Sequence, residues 1–195
     1  MVRVVWQLAL IGVLGIPSVA SAQERQVRVS VTVPAPVAQC WALWTTDEGV
    51  RSFFAPSSRI DLRVDGAYEI FFFPTAPPGQ RGADDMRLLA VEPNRRIAFT
   101  WNAPNTLPSI RAQRTVVSVE FAPETAASTR VTLRHFGWGS GPEWDDAIKY
   151  FETAWNGFVM PAFVHRVQHG PLDWKTLPAL KPAQQAAIEH LVAVK

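Results

Sequence analysis

The chain has 195 residues, a single cysteine and a formal net charge of +2. This length suits one domain with short appendages and allows that domain to bury a sizeable core. One cysteine excludes an internal disulfide, so the core must hold the fold without a cross-link. The near-neutral charge argues against the clustered basic surface of a nucleic-acid-binding protein, and we expect no nucleic-acid partner.

The first 22 residues have the three-part pattern of a secretory signal peptide. Arg3 supplies the basic region, Val4 to Ile16 the apolar region, and Ala20-Ser21-Ala22 the small-residue cleavage site. An uncleaved membrane anchor is the alternative, but the apolar run is shorter than the ~20 residues that a spanning helix needs. We predict cleavage near Ala22 and export to the periplasm or the medium, with no membrane span in the mature chain. Removing Arg3, the one charged residue of this segment, changes the formal charge from +2 to +1.

Valines alternate with polar residues from Val27 to Val33, which predicts a half-buried first strand that ends before two prolines. Val37 to Trp44 follows as a short helix, and Thr46-Asp47 caps a second one that ends near Phe53-Phe54. The lone cysteine, Cys40, lies between apolar neighbours on the first of these helices. We expect it to be buried, because a reactive thiol would need a cation close by.

A hairpin is predicted around Asp65-Gly66, because Ile60 to Val64 alternate between apolar and charged residues before it. A two-residue turn would place Glu69 on the buried face without a partner, at a high cost in free energy. A bulged or three-residue turn shifts the register and turns the opposite set of side chains inward. We favour this second register, in which the inward residues are Tyr68, Ile70 and Phe72. The alternation also places Leu62 and Val64 on the core face.

Four more segments have the apolar alternation of strands. The predicted strands are Met86 to Val91, Ile97 to Trp101, Thr115 to Phe121 and Arg130 to His135. Loops with proline interrupt the series at residues 74–82 and 102–108. Consecutive strands followed by a helix are typical of an α+β domain rather than of a parallel sheet.

The stretch from Ser140 to Trp174 contains one long amphipathic helix around which the rest of the chain is organised. Its apolar stripe consists of Trp144, Ile148, Phe151, Trp155, Phe158, Val159, Phe163 and Val167. Ser140 and Glu143 have the spacing of a capping box. Pro161 lacks an amide hydrogen and should kink the helix, and Gly170-Pro171 should end it.

We therefore predict an α+β domain at residues 23–174, in which a curved antiparallel sheet wraps around this helix. The apolar face of a twisted sheet must be covered, and the long helix is the element able to cover it. A curved sheet around one helix tends to leave a gap between them, and such gaps bind ligands. Residues 175–195 form a C-terminal extension, either a helix that starts at Lys181-Pro182 or a frayed tail.

Four stretches carry a resemblance to known proteins, namely Val33–Val50, Ile60–Ile70, Phe136–Trp155 and Gly170–Trp174. They resemble the helix-grip superfamily of START lipid-transfer domains, birch-pollen-allergen-type proteins and polyketide cyclases. The branch that they resemble most is named after the activator of the heat-shock-protein-90 ATPase. Many relatives have two glycines where this chain has Asp65-Gly66, which leaves the type of that turn open.

The resemblance implies a helix-grip fold that binds small apolar or amphipathic molecules in its cavity. Some members of the superfamily catalyse cyclisations, dehydrations or hydrolyses. The family has no invariant catalytic set that could be transferred to this chain residue by residue. We expect no cofactor.

His135 is the main candidate for chemistry, because it shares the inward face of its strand with Val131 and Leu133. A neutral imidazole there could act as a general base or bind a ligand, and the alternative is a core histidine satisfied by a neighbour. Aromatic side chains of the sheet and the helix would line an apolar pocket, unless they fill the core. The predicted ligand-binding residues are Phe72, Phe99, Trp101, Val119, His135, Trp155 and Phe158.

Three other groups of polar residues have a functional and a simpler interpretation. Asp84-Asp85 stand in a loop and could work as an acid and a base, or be solvated. His165 and His169 are four residues apart, which matches zinc spacing only formally, and we expect no metal. Arg111 and Arg114 could hold a ligand carboxylate or lie at a solvated edge.

Two functions are compatible with these features. The first is an exported protein that holds a hydrophobic or amphipathic small molecule in the cavity between the sheet and the C-terminal helix. The second is a cyclase- or dehydratase-type enzyme that uses the same cavity with His135 as general base. A co-chaperone function, which the family name suggests, conflicts with the predicted signal peptide. A small hydrophobic ligand is the expected partner. The sequence is compatible with both a monomer and a homodimer.

Overall fold

The computed structural model describes residues 25–175. Its strands are β1 (Val27–Val33), β2 (Ser57–Ile60), β3 (Tyr68–Phe71), β4 (Gly82–Ala83), β5 (Leu88–Glu92), β6 (Arg96–Trp101), β7 (Thr115–Thr125) and β8 (Ser128–Phe136). Its helices are α1 (Val37–Thr45), α2 (Asp47–Arg51), α3 (Pro108–Arg111), α4 (Pro142–Ala154) and α5 (Met160–His169), with a π-helical turn at Trp155–Val159. Within this range no helix combines the length and the hydropathy needed to cross a bilayer. The predicted signal peptide and the predicted extension after Lys175 lie outside the described residues.

Five strands form one antiparallel sheet in the order β1-β8-β7-β6-β5, and a smaller sheet has the order β2-β3-β4. An isolated bridge between Ala67 and Arg87 links the two sheets. Along β8, Val131, Leu133 and His135 are all buried, as the alternation in the sequence predicts. The antiparallel sheets and the long C-terminal helical segment confirm the predicted α+β helix-grip fold.

The two short helices lie where the sequence predicts them. Thr46 caps α2, since its hydroxyl oxygen accepts a hydrogen bond from the Gly49 amide at 3.0 Å. On α1, Leu43 and Trp44 pack into the core. Cys40 is fully buried on the same helix, and burial raises the pKa of its thiol. The predicted burial of the lone cysteine is confirmed.

β2 and β3 form the predicted antiparallel hairpin, with Ile60 opposite Tyr68, but Leu62 and Val64 lie in the connection and not in a strand. β2 ends at Ile60, and Leu62 and Val64 are 40% and 61% exposed, so their predicted position on the core face is wrong. The chain turns toward β5 instead, where Asp65-Gly66 exchanges backbone hydrogen bonds with Leu88 at 2.8 and 2.9 Å. The pairing of Asp65-Gly66 with β5, which is more distant in the sequence, thus overrides the apolar alternation of residues 60–64.

The favoured register of β3 is confirmed by the strand pairing, in which Tyr68 lies opposite Ile60 and Ile70 opposite Ser58. Tyr68 and Ile70 are both fully buried. Phe72 follows directly after β3, is half-buried and packs on the core. Glu69 is buried as well, but it is not unpaired, because Arg59 forms an ion pair with its carboxylate. A backbone amide also donates to this carboxylate at 2.8 Å. These contacts offset the desolvation cost that would otherwise exclude a buried glutamate.

The start of the long helical segment also differs from its prediction. Gly141 precedes α4 with a φ of 105°, and no side chain of the described residues caps the helix. The predicted capping box of Ser140 and Glu143 is wrong, because Glu143 accepts a hydrogen bond from the Ser109 hydroxyl of α3 instead. A contact with another helix therefore replaces the local one.

The helical segment changes its type close to Pro161, the residue at which the sequence predicts a kink. The residues before it widen into the π-helical turn, in which the Met160 amide donates to the Trp155 carbonyl. Such a turn is one way in which a helix accommodates a residue that lacks an amide hydrogen. The predicted stop is confirmed, since α5 ends at His169 and Gly170 follows with a φ of 99°.

We predict that Gly66→Ala destabilises the fold, because a Cβ at this position would lie 2.0 Å from the Asp61 carbonyl oxygen. The backbone must shift to relieve that contact, and we expect the free energy of unfolding to fall by about 2 kcal/mol or more. Gly141→Ala is the matched control, since no atom of residues 25–175 lies within 4 Å of its added carbon and the only strain is its positive φ. Urea unfolding followed by tryptophan fluorescence measures both variants. A G66A variant as stable as G141A would contradict the close approach at this turn.

Candidate ligand-binding site

The helix and the sheet meet in a continuous cluster of aromatic side chains, which we call the ring cluster. Phe99 and Trp101 of β6 and Trp155 of the π-helical turn are all buried in it. The centroid of the Trp101 ring lies 5.6 Å from those of the other two rings. Phe54, absent from the predicted site, stacks on Trp101 with 6.0 Å between centroids.

The structure thus brings the predicted ligand-binding residues together, but their rings contact one another. Val119 is buried in the same core, and Phe72 and Phe158 are half-buried at its margin. The ring of Phe72 lies 5.9 Å from that of Phe54. Side chains therefore occupy the space between sheet and helix, and the two grooves described below are lined by other residues.

His135 connects two strands to the helical segment. Its Nδ1 accepts a hydrogen bond from the Trp155 indole at 3.0 Å, and its Nε2 lies 2.7 Å from the Thr115 hydroxyl oxygen. Thr115 in turn donates to the Trp101 carbonyl at 3.2 Å. Since an indole N–H can only donate, Nδ1 is the nitrogen without a hydrogen and Nε2 is the donor to Thr115.

This arrangement keeps the imidazole neutral. The His135 side chain is completely buried, and burial lowers its pKa well below the ordinary value. Both ring nitrogens are engaged with protein groups, so no lone pair is free for a substrate proton while Trp155 stays in place. The geometry favours the second interpretation of this residue, a core histidine satisfied by its neighbours.

We predict that His135 makes the protein less stable in mild acid. The folded state keeps this imidazole neutral, whereas the unfolded state takes up a proton once the pH falls below about 6.5. The contribution of the neutral His135 to the free energy of unfolding is therefore fully present above that pH. It decreases by up to about 1.4 kcal/mol for each pH unit below it. Urea unfolding between about pH 7.5 and pH 5 measures this slope.

His135→Gln should remove this dependence on pH, because glutamine does not titrate in this range. His169→Gln is the matched control, since His169 is an exposed histidine at the end of α5. An unchanged slope in H135Q would show that another group takes up the proton.

An open groove of about 480 Å³ lies where the edge strand β1 meets the π-helical turn and α5, and we call it the β1–α5 groove. Its apolar wall consists of Val29, Val31, Met160, Pro161 and Val164. Its polar rim consists of Asn156, His165, Gln168 and His169. Because β1 is an edge strand, Val29 and Val31 remain half-exposed although they point toward the helix. A gap between sheet and helix thus exists at the sheet edge.

His165 and His169 lie one turn apart on α5, with 4.9 Å between their ring centroids. Within residues 25–175 there is no group of three or more His, Cys, Asp or Glu side chains arranged to hold a metal. The two imidazoles instead place hydrogen-bond donors and acceptors beside the apolar wall of the groove. The groove therefore has the two kinds of surface that an amphipathic molecule needs.

Asp84 and Arg111 form hydrogen bonds to backbone groups of the loop around residues 79–82. The buried Asp84 carboxylate accepts hydrogen bonds from the amides of Gly79, Arg81 and Gly82 and from the Arg81 guanidinium. Burial alone would raise the pKa of Asp84, but these hydrogen bonds outweigh burial and lower it. Arg111 donates to the carbonyl oxygens of Gly79 and Gly82 at 2.7 and 2.8 Å. A lowered pKa does not suit Asp84 for the role of an acid at neutral pH.

The family model described as Activator of Hsp90 ATPase homolog 1-like protein matches residues 34–160, which is more than half of the chain. The chain belongs to this family. The match begins directly after β1 and ends at the first residue of α5, so it includes most of both sheets and most of the helical segment. The resemblance found in the sequence is confirmed.

Solved structures of this family and related ones have the same fold. The solution structure of the Aha1 dimer from Colwellia psychrerythraea is 17% identical, with a TM-score of 0.57 over 75% of this chain and 98% of that chain. An HSP90 activator from Plasmodium falciparum is 14% identical, with a TM-score of 0.56 over 75% of this chain and 97% of that chain. CalU16 from Micromonospora echinospora is 18% identical, with a TM-score of 0.60 over 85% of this chain and 82% of that chain. At these identities the likeness shows the fold alone. None of the curated proteins matches the chain.

Proposed function

We propose that the protein binds a hydrophobic or amphipathic small molecule between its sheet and its C-terminal helix, in the β1–α5 groove. The observation that carries this proposal is the presence of an apolar wall and a polar rim in one open groove. Its volume of about 480 Å³ lies within the range of small-molecule sites. The family resemblance, which implies ligands of this class, supports the same proposal.

The apolar wall and the polar rim of the β1–α5 groove predict the orientation of the bound molecule. An acyl chain or a ring would lie on Val29, Val31 and Val164, where each square ångström removed from water contributes about 25 cal/mol. A polar head group would lie against His165 and His169, whose imidazoles donate and accept hydrogen bonds. A molecule with a hydroxyl, ester or amide head and an apolar tail fits both surfaces.

We predict that an apolar or amphipathic ligand raises the melting temperature and that Val31→Lys abolishes this effect. A lysine in the apolar wall would have to give up water when the ligand binds, which is costly. For the unaltered protein, a ligand at one hundred times its Kd stabilises the fold by about 2.7 kcal/mol. Thermal-shift measurements with fatty acids, quinones, sterols and polyketides test this. Thr32→Lys is the matched control, because Thr32 is exposed on the opposite face of β1.

Two results would count against the β1–α5 groove. One is the absence of stabilisation by any apolar ligand, and the other is an equal response of V31K and T32K. A shift that survives in V31K and also changes the fluorescence of the buried Trp101 and Trp155 would place the ligand in the ring cluster, the site predicted from the sequence.

Cyclisation or dehydration with His135 as general base is the less supported alternative. Its Nδ1 would first have to lose the hydrogen bond from the Trp155 indole. The lowered pKa of this imidazole also makes it a weak base at neutral pH. Turnover of a polyketide-type substrate that disappears in His135→Gln, while the variant stays folded, would reverse this order of preference.

We propose in addition that the chain is exported after cleavage near Ala22. This rests on the three-part pattern of residues 1–22 and is independent of the groove. We predict that intact-mass measurement on protein from the periplasm or the culture medium of the native host finds a mature chain that starts at Gln23. Uncleaved chain in the cytoplasm would contradict export and would make the co-chaperone function tenable again.

A further inference from the structure

A second groove, of about 470 Å³, lies between α1, α2 and the segment that follows α5, and we call it the Arg166 groove. The segment after α5 is fastened to the end of α2 at two points. The Leu172 amide donates to the Ser52 carbonyl at 2.9 Å, and the Trp174 indole donates to the Arg51 carbonyl at 2.5 Å. One wall of the groove is therefore a fixed stretch of chain.

Arg166 is held in this groove before any ligand binds. Its Nε donates to the Ser52 hydroxyl oxygen at 2.9 Å. The same hydroxyl donates its hydrogen to the Gly49 carbonyl at 2.5 Å, which leaves a lone pair for the guanidinium. The Arg166 side chain is half-buried, and within residues 25–175 its two terminal nitrogens have no hydrogen-bond acceptor.

The guanidinium also lacks a counter-charge in the described part of the chain. Among the described residues that line the groove, only Glu48 carries a carboxylate, and it forms no ion pair with Arg166. Arg51 adds a second positive charge, so the lining has a net charge of +1. Moving a charge partly out of water without a partner costs free energy, which an anion bound at this point would recover.

We propose that the Arg166 groove binds a small monocarboxylic acid with a short apolar tail. The terminal nitrogens of a guanidinium match the two oxygens of a carboxylate, and this pairing is both charged and directional. Ala42, Pro171 and Leu172 line the same groove and offer apolar surface for the tail. The Arg166 groove shares no lining residue with the β1–α5 groove, so this proposal does not depend on the proposed function.

Proton–nitrogen NMR of the full-length protein titrated with sodium hexanoate tests this proposal. We expect saturable shifts of the Arg166 Nε–H signal and of the Gly49 and Ser52 amides. Arg166→Gln should weaken hexanoate binding at least about tenfold, because the charged bidentate pair is lost. Arg28→Gln should leave it unchanged, since Arg28 is an exposed arginine of β1 that lines neither groove.

Two further measurements separate charge from shape. Arg166→Lys keeps the positive charge but loses the paired N–H donors of the guanidinium. It should bind hexanoate with an affinity between those of the unaltered protein and R166Q. Hexanol has the same tail without the carboxylate and should not shift the Arg166 signal. Melting temperatures establish that each variant is folded, and if R166Q is not, R166K and hexanol carry the test.

Three outcomes would overturn the proposal. The first is hexanoate binding of equal strength in R166Q and the unaltered protein. The second is hexanol binding as strong as that of hexanoate. The third is a set of shifts confined to the β1–α5 groove, for example at Val31, with no change at Arg166.

Discussion

The structure depends on a chain of buried hydrogen bonds that crosses from the helical segment into the sheet. It runs from the Trp155 indole through the His135 imidazole to the Thr115 hydroxyl and ends at the Trp101 carbonyl. Each donor in this chain has an acceptor, which is the condition under which a buried polar network strengthens a core. It requires a neutral imidazole, and burial keeps the imidazole neutral. Because Trp155 is the first residue of the π-helical turn, the chain also fixes where that turn meets the sheet.

The hydrogen bond that holds Trp155 on His135 has a consequence for ligand binding. With Trp155 held against the sheet, the rings of Phe54, Phe99 and Trp101 close the interior around it. Both grooves lie at the margins of α5, which contributes residues to each of them. His165 lines one groove and Arg166 the other, because successive residues of a helix point about 100° apart. One short helix therefore separates an amphipathic surface from a positively charged one.

Several predictions from the sequence succeeded because they depend on neighbouring residues. The cap at Thr46, the stop at Gly170 and the inward face of β8 are of this kind. The core-face position of Leu62 and Val64 and the capping box were wrong because a distant group competed for the same partner. Leu88 forms backbone hydrogen bonds with Asp65-Gly66, and the Ser109 hydroxyl donates to the carboxylate of Glu143. At the site, the sequence identified rings that do lie together, but it did not include Phe54, which helps to fill the space between them.

Periodicity and breaker residues were thus sufficient for the order of most elements and the inward side of most strands, since these are local properties. The family was identified from the resemblance of four stretches to known proteins, which a family model confirms. The tautomer and charge of His135, the packing of the ring cluster and the lack of a counter-charge for Arg166 among residues 25–175 required the folded arrangement. Each of them is set by groups from separate elements that meet only after folding. Arg166 and Ser52, for example, are 114 positions apart in the chain and 2.9 Å apart in the fold. No local pattern contains such a contact, because its energy depends on how the sheet and both ends of the domain pack together.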